Sequence, residues 1–170
     1  MSLGFAVLLW LHVVSAVGWM GAAMVFAMLI GPTLPSLTPS ARGELIVKLL
    51  PKYITYAELF TLVTPIFGLG LALYISHGSF AVFSPATYGN FGLFISIGAF
   101  LSVVAWVISF GLVAPTGHKI VSITKEMMKN PGSPPPPELQ KASTRLRIAS
   151  TTGLVVLFII LVCMVVAAAS

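Results

Sequence analysis

A chain of 170 residues that is 58% hydrophobic and 8% charged, with a mean hydropathy of +1.04, cannot clothe itself in a water-facing surface. Soluble domains carry about 25% charged residues. Nine Lys and Arg against four Glu and no Asp give a net charge of +5, but the positions of the basic residues report topology and exclude a nucleic-acid partner. The length allows a single domain, residues 1–170, and the lone Cys163 excludes an intramolecular disulfide.

Crossing a hydrocarbon core takes about 20 apolar residues at about 1.5 Å each. Residues 3–30, 54–77, 91–115 and 148–169 qualify. Backbone groups cannot go unpaired in lipid, so each stretch is predicted to be helical. The expected fold is an all-α integral membrane bundle of antiparallel transmembrane helices. The first stretch lacks a basic n-region and a small-residue cleavage site, and is expected to be a span rather than a signal peptide. After it, Pro32, Pro35 and Pro39 are expected to prevent a continuous helix, while ARGELIVKLL can form a short interfacial one. The second connection, GSFAVFSPATYG, is short and uncharged. The third contains NPGSPPPPELQ, residues 130–140, expected as a stiff polyproline-like linker. The fourth span is nearly featureless after Gly153 and is expected to face lipid.

Arg42, Lys48, Lys52, Lys119, Lys125, Lys129, Lys141, Arg145 and Arg147 all lie in the first and third connections or beside them. The positive-inside rule makes residues 31–53 and 116–147 cytoplasmic and puts both termini outside. Tyr53, Tyr56 and Tyr88 are suited to anchor helix ends at the two interfaces.

Within the spans, His12 and Glu58 are the side chains able to ionise near neutral or acid pH, and exposing either to lipid costs a few kcal/mol or more. At helical spacing His12 shares a face with Ala16, Trp19, Met20, Ala23, Met24 and Ala27, a stripe that fits a packed neighbour or a cofactor. Glu58 shares one with Pro65, Leu69, Ala72 and Ser76 and is expected near the inner surface, where it can reach water. His77, at the outer end of the second span, is on the correct side to act with His12, whereas His118 belongs to a basic loop. Met20, Met24 and Met28 could serve as soft copper ligands or as core filling. No nucleophile–base pair, phosphate-binding glycine loop or metal cluster is present, so independent catalysis is not expected.

The stretch Leu11-His12-Val13-Val14-Ser15-Ala16-Val17-Gly18-Trp19-Met20-Gly21 resembles the first-helix signature of the CopD-like copper-resistance membrane domain and of HemJ-type protoporphyrinogen oxidases. In both, an LH dipeptide precedes a W-x-G tripeptide at this spacing. Four spans of this size, a basic loop before the last and Met164 near its end are similar too. The resemblance implies His12 as a ligand of heme b or as part of a copper pathway; if heme is held there, the positions of the residues make His77 the candidate second ligand and Trp19, Met20 and Met24 the candidates to pack the macrocycle. It also implies a redox-associated subunit of a membrane complex. The residues alone leave open a cofactor-free accessory subunit that docks other transmembrane subunits or further copies of itself.

Overall fold

A computed structural model describes residues 2–130 and 134–170, and the described residues are almost wholly helical, with no strand among them. Helix α1 (Leu3–Met24) continues through a π-helical turn, Val25–Ile30, into short turns that end at Ser36. Helices α2 (Pro39–Lys48) and α3 (Leu50–Ile75) follow, then α4 (Pro85–Ile108), a second π-helical turn (Ser109–Val113), α5 (Ala114–Lys129) and α6 (Pro137–Ala169). Four of the continuous helical segments are long and apolar enough to cross a membrane, as the sequence predicts.

The boundaries differ from expectation for a common reason. Proline stops a helix because its ring collides with the carbonyl four residues back and it has no N–H to donate. Here Pro32 and Pro115 each follow a widened turn in which the ladder skips a residue: Gly31 N–H donates to the Phe26 carbonyl and Ala114 N–H to the Ser109 carbonyl. The wider turn relieves the collision, so the helix runs past Pro32 and the chain turns only at Leu37. Pro39, Pro85 and Pro137 stand at first helical positions, where the missing N–H is not needed. The linker of residues 130–140 is accordingly shorter than expected: residues 131–133 lie outside the described residues, and Pro137 already belongs to α6.

The segments expected as cytoplasmic loops are thus mostly helix, and they build a core of their own. Ile46 of α2, Leu50 and Ile54 of α3, Ala114, Ile120 and Val121 of α5, and Ala142 and Leu146 of α6 close around Phe26. The basic residues are carried on the elements surrounding this core, which marks the basic end of the molecule. Arg42 donates to the Pro35 and Leu37 carbonyls and clasps the turn before α2. Lys48, 2.8 Å from Glu44, holds that carboxyl below its ordinary range, an exposed pair that adds little stability.

Away from the basic end, α1 lies along α3 and α4 along α6. Trp19 joins the two pairs by packing with Ala105 and Leu157. The fourth span, expected to face lipid, is two-sided: Val155, Phe158, Ile159, Leu161, Val162 and Val165 are exposed, while Leu154, Leu157, Cys163 and Ala167 are buried and Gly98 of α4 lies against Cys163 and Met164. A chain of Leu, Ile and Val carries no periodic polar mark, so the packed side of such a helix cannot be read from its sequence. At the far end, a turn through His77 and Gly78 and a 3-10 turn, Ala81–Phe83, connect α3 to α4.

Candidate functional site

His12 is held between α1 and α3. Its Nδ1 lies 3.0 Å from the Thr64 carbonyl oxygen, and because a carbonyl can only accept, Nδ1 carries the proton. Nε2 then holds the lone pair, and it makes no hydrogen bond among the described residues. The imidazole rests on Gly68, where an added Cβ would fall 2.9 Å from Cε1 and 3.2 Å from Nδ1. Only a residue without a side chain lets the ring approach the α3 backbone so closely. Pro65 lies between the two contacts and has no N–H to offer the ladder. The Thr64 carbonyl and the open face of Gly68 thus receive the histidine. Sequence reasoning missed Thr64 and Gly68; a Pro and a Gly three residues apart inside an apolar span were the available signal.

A second cluster lies between this histidine and the basic end. A cavity of about 50 Å³ is bounded by Trp19, Tyr53, Glu58, Thr61, Ser109 and Ser150, among others. Its volume admits a few water molecules. The Ser150 hydroxyl is buried without a hydrogen-bond partner among the described residues, and Glu58 belongs to neither described ion pair. The cavity gives both groups somewhere to be hydrated, which lowers the cost of burying them. Glu58 was expected beside the headgroups. It stands one turn beyond Ile54 on α3, half-buried at the edge of the cavity. Ser109 belongs to the π-helical turn and Ser150 to a part of α6 assigned from sequence to a span, so neither stood out as polar lining.

The residues proposed from sequence to surround a macrocycle do not converge. Trp19 is buried in the bundle core, Met20 is half-buried, and Met24 and Met28 are exposed. The buried face of α1 follows Ser15, Trp19, Ala22 and Phe26, rotated from the stripe that His12 and Met24 suggested. His77 is exposed in the far turn with φ 51°, a left-handed conformation that suits glycine or asparagine better. His118 is exposed on α5. A bound cofactor of heme size needs a pocket of several hundred Å³, and the cavity beside Trp19 is far smaller. Among the described residues no group of three or more His, Cys, Asp or Glu is placed to hold a metal ion.

No family model, curated protein or solved structure matches the chain. The likeness to CopD-like and HemJ-type proteins therefore rests on the residues around His12 and Trp19 and on the spacing of the spans.

Proposed function

We propose that the chain is an integral membrane protein of four antiparallel transmembrane helices, with both termini outside and the basic end in the cytoplasm. It acts as an accessory subunit that docks other transmembrane helices, from a larger complex or from its own copies. The observation that carries this reading is the bond from His12 Nδ1 to the Thr64 carbonyl above Gly68. It accounts for an intramembrane histidine as a tie between two helices of one chain. The outward side of α1 supports the docking role: Val17, Met24 and Met28 are exposed, and a side chain added at Gly21 would meet nothing of this chain. A bare glycine flanked by adaptable methionines lets a second helix approach closely.

The topology is tested by maleimide labelling of single cysteines in intact cells, with buried Cys163 as background. Thr87→Cys should label from outside and Ser36→Cys only after permeabilisation, both positions being exposed. The reverse pattern would invert the orientation.

A second reading is a heme-b or copper subunit, and one observation favours it. A histidine that donates Nδ1–H to a backbone carbonyl keeps Nε2 as a basic, oriented ligand, the usual arrangement around metal-bound imidazoles. His12 would supply that ligand, and the rest of the pocket would come from a neighbouring subunit, since Trp19, Met24 and His77 do not gather around it. The group would contribute electron transfer when bound. Optical spectra of the purified protein, oxidised and dithionite-reduced, decide between the readings. The accessory reading expects no α band; a sharp α band lost in His12→Ala would replace it with the heme reading.

A further inference from the structure

A further concavity lies away from both clusters, at the basic end. A groove of about 550 Å³ runs between α4 with its π-helical turn and the first turns of α6. Ile108 and Leu112 form one wall, and Lys141, Thr144, Arg145 and Ile148 the other. These four positions of α6 follow helical spacing and make one strip along the helix. The strip is graded: Lys141 comes first, Arg145 one turn on, and Ile148 about 10 Å deeper than Lys141 toward the apolar body of the helix. Lys141 and Arg145 are exposed and belong to neither of the ion pairs among the described residues. The groove therefore pairs two cations that lie outside both described ion pairs with an apolar floor, at the level where α6 passes from charged to uncharged sequence.

We propose that this groove binds an anionic phospholipid, with its phosphate between the Lys141 ammonium and the Arg145 guanidinium and one acyl chain along Ile108, Leu112 and Ile148. A free phosphate would satisfy the cations and leave the apolar wall bare. A zwitterionic lipid would fill the wall but bring a choline cation toward Lys141. Basic pockets between transmembrane helices on the cytoplasmic side are suited to acidic headgroups for these electrostatic reasons. The proposal rests on the membrane reading above, and the topology sets only which leaflet supplies the lipid.

The test is native mass spectrometry of the full chain in mild detergent with equal amounts of phosphatidylglycerol and phosphatidylcholine. Retention of phosphatidylglycerol should exceed that of phosphatidylcholine by roughly tenfold, the scale expected for two basic side chains at a headgroup. Lys141→Gln/Arg145→Gln should erase the preference while leaving the thermal midpoint unchanged, and Arg147→Gln, outside the groove, should keep it. Millimolar inorganic phosphate should not displace the lipid. Equal retention of the two lipids, an undiminished preference in the double variant, or displacement by phosphate would each overturn the proposal. Because binding is read in detergent, an inverted labelling result would overturn the orientation while a measured lipid preference stood.

Discussion

Gly68→Leu should lower the thermal midpoint of the purified protein by about 10 °C, since overpacking costs about 1–3 kcal/mol, an interhelical hydrogen bond in a membrane contributes about 1 kcal/mol, and each kcal/mol moves a chain of this size by roughly 2–4 °C. The added side chain must enter the space of the His12 ring, starting 2.9 Å from Cε1. The ring cannot yield without losing the Thr64 carbonyl, because the bond fixes its orientation. His12→Ala alone should also destabilise, by loss of the bond and by the cavity it leaves. The two changes should not add: with the imidazole gone, leucine at position 68 has somewhere to go. The double variant should recover at least a third of the summed loss, measured as a double-mutant cycle. Strict additivity would mean that the ring and Gly68 do not touch in the folded protein. Gly21→Leu serves as the contrast, since nothing lies within 4 Å of its added Cβ. It should leave the midpoint of the isolated chain nearly unchanged and, under the docking proposal, weaken association with partner helices.

Gly92→Ala should be the most damaging single-methyl change in the chain. Its Cβ would lie 2.7 Å from the Ser84 carbonyl oxygen and 3.0 Å from the Ser84 carbonyl carbon, and these are backbone atoms. Ser84 cannot retreat, because its carbonyl accepts from the Thr87 and Tyr88 N–H groups at 3.1 and 2.9 Å and so opens α4. Ser96 holds the same corner by donating to the Phe83 and Gly92 carbonyls. A clash that neither partner can relieve costs about 3 kcal/mol, toward the upper end of overpacking losses. Gly98→Ala looks worse on distance, with Met164 Cε at 2.5 Å, yet it should cost under about 1 kcal/mol because the end of a methionine can swing away. Thermal melts of the two variants should rank them in that order. The opposite ranking would mean that the Ser84 corner is looser than its hydrogen bonds imply.

Composition and hydropathy determined the class of this protein and the number of its long apolar helices, because desolvating an irregular backbone is too costly for such a chain to have many alternatives. They also located the residues that stand apart, His12 and Glu58, since an ionisable group in an apolar run is conspicuous whatever surrounds it. What the sequence could not determine were the facts that depend on a neighbour. Pro32 read as a helix stop, and whether a widened turn carries the helix past such a ring is settled by packing around the turn. The basic segments read as loops because their charge hid an amphipathic helix whose apolar side, Ile120, Val121 and Thr124, is buried only when α2 and α3 cover it. The partner of His12 was hidden most completely. A backbone carbonyl has no letter in the sequence, and only the meeting of α1 with the Thr64 carbonyl and Gly68 decided that the imidazole would spend its Nδ1 proton there and keep Nε2 free.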